Sequence, residues 1–197
     1  MSVNKTRRPA ADHKAITQAV DIIAKAKNPL ILAGNGAVRK RAAEQLKRLA
    51  HKTGIAVVNT FMGKGAIPMS DPHCLYTMGL QGGDYANLAF EAADVVVTIG
   101  YDFVEYAPAF WNSKRDKVII DIDFTPAEID NNFPVEVDIV SDLADALWQI
   151  NEDLDERYSD SLPLNDIGAR AALRQTITDD LAMEEADTSF PVKPQRI

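Results

Sequence analysis

Residues 93–100 read ADVVVTIG, and this stretch decides the fold class. Its apolar run shows no regular alternation with polar residues, so we expect a β-strand that is buried on both faces. Further strands are predicted at 30–33, 55–60, 118–122 and 135–140, and helical patterns separate them. Such strands, alternating with helices, indicate a parallel sheet that is covered on both faces.

The segments between the strands carry apolar residues at helical spacing. Asp12 is a suitable N-cap for the first helix, and Gly54 is expected to end the second. Helices are predicted at 12–27, 38–53, 84–92, 143–154 and 167–185, with a short helical turn at 126–130. The predicted fold is therefore α/β: a doubly wound, Rossmann-like, mostly parallel six-stranded sheet with helices on both faces.

The composition narrows the possible functions. With 197 residues and 46% hydrophobic content, the chain can bury a full core. Its net charge of -8 would repel phosphate backbones, so no nucleic-acid partner is expected. Cys74 is the only cysteine, which excludes disulfides within the chain and fits a reducing cytoplasm. No apolar run approaches the ~20 residues that cross a bilayer, so no membrane partner is expected.

Four loops follow predicted strands and should share one edge of the sheet, where open α/β folds bind their ligands. They read GNGAVRK, TFMGKGAIP, GYDFVEY and DIDFTPAE. Glycines such as Gly34, Gly36 and Gly63 allow backbone N–H groups to approach a phosphate. The first loop departs from the dinucleotide pattern GxGxxG, because Arg39 occupies the third glycine position. A nucleotide site and glycines that only turn the chain both remain open interpretations.

Two other features of these loops can each be interpreted in two ways. Asp121 and Asp123 could accept hydrogen bonds from a ribose, or they could cap the segment that follows. The aromatic side chains of residues 100–112 could line a site, or they could only cover the end of the sheet. The three histidines, His13, His51 and His73, show no metal-binding spacing such as HExxH, and no GxSxG turn occurs. Neither a catalytic residue nor a metal site is therefore predicted within this chain.

Residues 8–150 contain AKNPLILAGNGAVRK, NTFMGKGAIP, ADVVVTIGYDFVEYAPAFWN and VIIDIDFTPAEIDNNFPVEVDIVSDL in that order. Together these motifs resemble the central domain of thiamine-diphosphate-dependent enzymes of the acetolactate synthase group. The resemblance implies an incoming linker at 1–11 and a central domain at 12–154. It also implies that 155–197 form a linker helix and the start of a connection to an absent diphosphate-binding domain.

What the resemblance implies for activity concerns a parent enzyme. That enzyme would condense two pyruvates to 2-acetolactate and CO₂, with thiamine diphosphate and Mg²⁺ held by its missing pyrimidine- and diphosphate-binding domains. Asn131-Asn132 has no GDG upstream and so does not form the family's Mg²⁺–diphosphate motif. The isolated chain is expected to be inactive, and the parent is expected to be a cytoplasmic homo-oligomer.

Members of this family that bind FAD carry basic residues in the third loop, where this chain has Asp102 and Tyr106. The resemblance therefore favours the catabolic, flavin-independent type, and FAD is not expected. The residues of a vestigial nucleotide cleft would be Gly34, Asn35, Gly36, Gly63, Gly100, Asp121 and Asp123. An active-site wall would comprise Met62, Lys64, Gln81, Tyr101, Asp102, Glu105 and Tyr106. A flavin-binding biosynthetic enzyme, another enzyme of the family, an oligomerisation domain and a stand-alone nucleotide-binding module remain alternatives.

Overall fold

The computed structural model describes residues 8–78, 85–128, 130–163, 168–186, 188 and 190. Within these residues the chain forms one six-stranded sheet in which every neighbouring pair is parallel. The strands are β1 (Pro29–Ala33), β2 (Ala56–Asn59), β3 (Cys74–Thr77), β4 (Val95–Ile99), β5 (Val118–Asp123) and β6 (Val135–Val140). The predicted six-stranded parallel sheet is confirmed.

The described helices lie on both faces of this sheet. They are α1 (His13–Lys25), α2 (Lys40–Thr53), α3 (Tyr85–Ala92), α4 (Pro108–Trp111), α5 (Leu143–Tyr158) and α6 (Gly168–Ala186), with short 3₁₀ turns at Asn35–Val38 and Ser159–Ser161. One core cluster packs α1, α2 and α5 on one face of the sheet, and a second packs α3, α4 and α6 on the other. Ile31 belongs to the first cluster, whereas Leu30 and Leu32 belong to the second. Burial of both faces explains why β1 shows no polar alternation.

The strand order is β3-β2-β1-β4-β5-β6, so the first strand in the chain lies at the centre of the sheet. Leu32 of β1 pairs with Val58 of β2 on one side and with Thr98 of β4 on the other. The chain winds outward from β1 in both directions, which opens a crevice beyond the carboxyl ends of β1 and β4. This crevice is the place where a doubly wound sheet binds a ligand.

Capping residues set several helix ends. The Asp12 side chain accepts a hydrogen bond from Ala15 N–H at 3.0 Å, which confirms the predicted N-cap of α1. The Asp142 side chain does the same for α5, accepting from Ala144 N–H at 3.1 Å. At its other end, α2 stops at Gly54, whose φ of 74° is the left-handed conformation that glycine adopts readily.

Local structure differs from the sequence prediction in four places. The strand β3 and the short helix α4, each of four residues, were not located. The helical turn predicted at 126–130 was wrong, because the described residues there form no helix. Instead, Ala127 N–H donates to the Asp138 carboxylate of β6 at 3.1 Å, and Asp130 bridges to Phe133. The helix α2 also begins two residues later than predicted, because the 3₁₀ turn precedes it.

The helix α6 confirms the helix predicted near the end of the chain, and it packs beside the edge strand β3. Tyr76 of β3 contacts it through two hydrogen bonds, with Thr178 Oγ1 at 2.9 Å and from Arg174 Nη1 at 3.0 Å. Arg174 also donates to the carbonyl oxygen of Met69 at 2.8 Å. The helix thereby covers a sheet edge that would otherwise expose unpaired backbone groups. Among the described helices, none combines the length and apolar character needed to cross a membrane.

Candidate functional site

Three glycines bring two loops together at the carboxyl ends of β1 and β4. A Cβ on Gly34 would lie 2.4 Å from the carbonyl oxygen of Gly100, and one on Gly36 would lie 2.7 Å from its Cα. Gly100 itself has a φ of +56°. The Gly36 N–H donates to the Gly100 carbonyl oxygen at 2.9 Å, so the two loops are also joined by a hydrogen bond. These glycines are required by backbone packing between the loops, whether or not a ligand binds.

Gly63 serves the same purpose in the loop after β2. A Cβ at this position would lie 2.0 Å from the carbonyl oxygen of Ala33. The loop is held there because Thr60 N–H donates to the same Ala33 oxygen at 2.9 Å, while Gly63 N–H donates to Thr60 Oγ1 at 2.8 Å. Three of the four strand-end loops therefore meet in backbone contact at the centre of the sheet edge.

The Glu105 carboxyl group lies where these three loops meet. Its Oε1 accepts a hydrogen bond from Asn35 N–H at 3.0 Å, and its Oε2 accepts a short one from the Thr60 hydroxyl. Glu105 is only 5% exposed. Acceptance at both oxygens joins this buried carboxyl group to the glycine-rich loop and to the loop after β2. Glu105 is predicted from the sequence to belong to an active-site wall, whereas its partner Thr60 is not among the predicted site residues.

The N–H groups of Gly34, Asn35 and Gly36, which a phosphate could approach, already have acceptors within the chain. Gly34 N–H donates to the Ile99 carbonyl oxygen at 3.0 Å, and Gly36 N–H is bound to Gly100. Asn35 N–H, which lies between them, is bound to Glu105. These three donors are therefore used by the chain itself, and a phosphate bound to them would have to displace an existing acceptor.

A tight turn directs Glu105 inward. Glu105 N–H donates to the Asp102 carbonyl oxygen at 3.0 Å, and Val104 N–H donates to the Asp102 side chain at 2.9 Å. This Asx-type turn leaves Asp102 exposed and Val104 84% exposed at its tip. The acid in the third loop thus has a local structural role, because it shapes the turn that delivers Glu105.

The aromatic side chains that follow β4 mainly cover the end of the sheet. Tyr101, Tyr106 and Trp111 are buried in the second core cluster. The Tyr101 hydroxyl donates a short hydrogen bond to the Tyr106 carbonyl oxygen and accepts one from Trp111 Nε1 at 3.2 Å. Burial raises the pKa of Tyr101 well above its ordinary value. Phe103 packs edge-on against Phe133, with ring centroids 4.9 Å apart. Tyr106 and Trp111 therefore cover the end of the sheet, whereas Tyr101 and Phe103 pack there and also line the neighbouring cleft.

The fourth loop contributes acids to the same crevice. Asp121 is 4% exposed and accepts a hydrogen bond from Thr98 Oγ1 at 2.5 Å. Burial, with added repulsion from Asp123 and Asp138, raises the pKa of Asp121 to about 7. The Asp123 side chain accepts hydrogen bonds from Phe124 N–H and, at 3.3 Å, from Thr125 N–H. Asp123 therefore caps the turn that follows β5, although that turn does not continue into a helix.

These loops enclose a cleft of about 310 Å³. Most of the ionisable side chains that line it are acidic: Asp102, Glu105, Asp121, Asp123 and Glu128. Arg39 is the basic residue in the described lining, and its guanidinium stacks over the Phe124 ring at 4.4 Å from the centroid. An excess of carboxyl groups opposes the binding of a diphosphate, because like charges repel most strongly in a partly buried site.

Most of the predicted site residues meet in this cleft. Its lining includes Asn35, Gly36, Met62, Gly100, Tyr101, Asp102, Glu105, Asp121 and Asp123. Gly34 and Gly63 lie in the backbone contacts beneath it. Lys64 lines a separate cavity beside α6, and Tyr106 is 5% exposed within the core. Gln81 lies outside the described residues.

The fold and the cleft together define the class of protein domain to which the chain belongs. A parallel sheet with this strand order, and with a glycine-built cleft at its topological switch point, is a doubly wound domain of the nucleotide-binding type. The chain belongs to the family of thiamine pyrophosphate enzyme central domains, whose family model matches residues 16–150.

Two relatives with similar sequences are described as acetolactate synthases. The chain is 33% identical over 192 residues to a protein of Methanococcus aeolicus described as an acetolactate synthase large subunit, covering 93% of this chain and 32% of that protein. It is 34% identical over 146 residues to the acetolactate synthase of Bacillus subtilis strain 168, covering 74% of this chain and 25% of that enzyme. The chain thus spans about a quarter to a third of the length of these relatives.

A solved structure shares the fold. It is described as a thiamin diphosphate-dependent enzyme from Mycobacterium smegmatis, and it superposes with a TM-score of 0.63 at 22% sequence identity. The match covers 77% of this chain and 30% of that one. At this level of identity the similarity establishes the fold alone.

Proposed function

We propose that this chain is the central domain of a thiamine-diphosphate-dependent acetolactate synthase, which condenses two pyruvates to 2-acetolactate and CO₂. Family membership and the acetolactate synthases among the relatives support the assignment. The short share of each relative that the chain covers supports the presence of further domains in the parent. Pyrimidine- and diphosphate-binding domains outside residues 12–154 would hold thiamine diphosphate and Mg²⁺.

The parent enzyme is of the flavin-independent type in this proposal. The observation that carries this step is the Glu105 carboxyl group, which occupies the Asn35 N–H and the Thr60 hydroxyl. The residues of the cleft do not fit a flavin diphosphate. The backbone N–H groups of Gly34, Asn35 and Gly36 already donate to acceptors within the chain, and most of the ionisable side chains that line the cleft are acidic. Asp102, where flavin-binding relatives would carry a basic residue, adds to that repulsion. We therefore assign the cleft a structural role.

Within the parent, the strand-end loops would form one wall of the active site. Met62 is 51% exposed and Val104 is 84% exposed, and both lie at the rim of the cleft. Exposed apolar side chains at a rim are suited to packing against the flanking domains of the same enzyme or of a second subunit. Cys74 is a free, buried thiol, which is compatible with a cytoplasmic enzyme.

Activity measurements test the assignment. The isolated chain, supplied with thiamine diphosphate, Mg²⁺ and pyruvate, should show no pyruvate loss above a buffer blank. Fused in place of the central domain of the Bacillus subtilis acetolactate synthase, the same chain should support formation of acetolactate. Pyruvate turnover by the isolated chain would contradict the proposal, since a central domain alone contributes no site for the cofactor.

A further inference from the structure

Two histidines and an aspartate meet beside the amino ends of β2 and β3, at the opposite edge of the sheet from the cleft loops. His51 Nε2 lies 2.7 Å from Asp71 Oδ2, and His73 Nδ1 lies 3.1 Å from Asp71 Oδ1. The two imidazole rings are 4.4 Å apart between centroids. One ligand atom from each of the three side chains falls within 4.8 Å of the others. The His51 side chain is 44% exposed, that of Asp71 is 3% exposed and that of His73 is 11% exposed. Two of the three side chains are therefore buried in the fold, while His51 leaves the cluster open to solvent.

The chain builds this cluster from two elements. His51 lies in the last turn of α2, where the helix dipole favours a positive charge. Asp71 and His73 belong to the turn that leads into β3, in which Asp71 Oδ1 accepts from His73 N–H at 3.0 Å. Cys74 N–H closes the turn on the Asp71 carbonyl oxygen at 3.0 Å. Both elements are thus anchored by backbone contacts before any ion binds.

We propose that His51, Asp71 and His73 bind a Zn²⁺ ion, with water completing the coordination. Two imidazoles and one carboxylate, with an open fourth position, form a recognised donor set for zinc. An edge of a zinc tetrahedron is about 3.3 Å for bonds of about 2.0 to 2.1 Å, so the present separations require only small side-chain movements. The exposed His51 side chain has the freedom to make most of that movement.

Asp71 presents both of its carboxylate oxygens to the cluster, Oδ2 towards His51 and Oδ1 towards His73. Lys47 opposes metal binding, since its Nζ lies 3.7 Å from Asp71 Oδ2. Its side chain is 50% exposed and can swing into water when an ion enters.

A bound ion would link the end of α2 to the segment that precedes β3. That segment also contains Met62 and Lys64, which are predicted from the sequence to belong to an active-site wall. The zinc would act as a clamp on the loop between β2 and β3, and it would stabilise the folded chain by mass action. No role in bond chemistry is required of it.

Titration of the metal-stripped, tag-free chain with Zn²⁺ tests the proposal. Calorimetry should give one ion per chain, and Co²⁺ in its place should show the visible absorption of a nitrogen- and oxygen-ligated site. His51→Ala and His73→Ala should each weaken Zn²⁺ binding at least about tenfold. His13→Ala, which alters an exposed histidine outside the cluster, should leave the affinity unchanged.

A variant with the opposite expected effect sharpens the test. Lys47→Gln removes the competing ammonium and should tighten Zn²⁺ binding by about two- to fivefold, the size of an exposed charge interaction. The exposed position of His51 means that His51→Ala should fold even if His73→Ala does not. Absence of saturable binding to the parent chain, or unchanged affinity in His51→Ala, would overturn the assignment.

Discussion

The Glu105 carboxyl group accepts hydrogen bonds from Asn35 N–H and from the Thr60 hydroxyl, and so joins the loops that follow β1, β2 and β4. The sequence predicted that Gly34 and Gly36 would lie at this position, because glycine patterns at strand ends are local. It could not predict that an acid seventy residues away from Asn35 would take the donor between them. That outcome depends on how the Asp102 turn directs the side chain, which is a property of the folded loop.

Replacing Glu105 by Ala should lower the free energy of unfolding by about 1 to 3 kcal/mol, because the Asn35 N–H and the buried Thr60 hydroxyl lose their acceptor. The emptied position should then bind an anion. Inorganic phosphate should raise the melting temperature of Glu105→Ala more than that of the parent chain, which thermal melts in phosphate and in a matched chloride buffer would measure. Equal stability of parent and variant would show that these hydrogen bonds contribute little.

Asp121 should make the stability of the chain depend on pH. Its pKa is raised to about 7 in the folded chain, so the unfolded chain gives up this proton more readily. Asp121 therefore destabilises the fold increasingly as pH rises from about 4 to about 7, by at most about 4 kcal/mol. Asp121→Asn keeps an acceptor for the Thr98 hydroxyl and should be more stable than the parent at pH 8.

The advantage of Asp121→Asn should fade as the pH falls towards 4, where the carboxyl group is protonated in the folded chain and close to half protonated in the unfolded chain. Denaturant melts of both chains between pH 4 and pH 8 would measure it. A stability difference that does not change with pH would contradict the raised pKa.

Among the secondary-structure elements, those with the strongest apolar runs were the ones that the sequence located. The strands β1 and β4 lie inside the sheet and are buried along their whole length, so their sequences carry a nearly continuous apolar signal. The edge strand β3 was missed, since it is short and half of it is only partly buried. The false helical turn at 126–130 arose because local propensity could not anticipate a contact from Asp138 of β6.

A substitution in the central strand tests this account of the sheet. Val97 of β4 is fully buried and pairs with Ile31 and Ile120 of the neighbouring strands. Val97→Asp would bury an unpaired charge and should abolish the cooperative melting transition. Val104→Asp is the matched control, because the Val104 side chain is 84% exposed and should tolerate the change. Circular dichroism melts would separate the two, and a Val97→Asp variant that melts like the parent would place Val97 outside the core.

For the molecule as a whole, motif order predicted the family and the doubly wound fold, because four loops and their strands occur in the expected sequence. The cleft was also predicted at the correct edge of the sheet, since the topology of a parallel sheet brings those loops together. The grouping of His51, Asp71 and His73 was not predicted. Its members are separated by up to twenty-two positions and meet only after β3 has paired with β2.

The central proposal is that acceptors of the chain itself occupy the N–H groups of Gly34, Asn35 and Gly36 in the nucleotide-type cleft, and that the domain therefore does not bind FAD. Equilibrium dialysis of the purified chain against FAD, followed by desalting and absorbance of the flavin band, measures this directly. Asp102→Arg is an informative companion, because it places a base at the exposed rim of the cleft. Since it also removes the side-chain acceptor of the Val104 N–H, its melting temperature has to be compared with that of the parent chain. The account predicts no retained flavin on the parent chain and, at most, weak binding by Asp102→Arg. A stoichiometric yellow complex of the parent chain would contradict it and would identify the domain as a flavin-binding one.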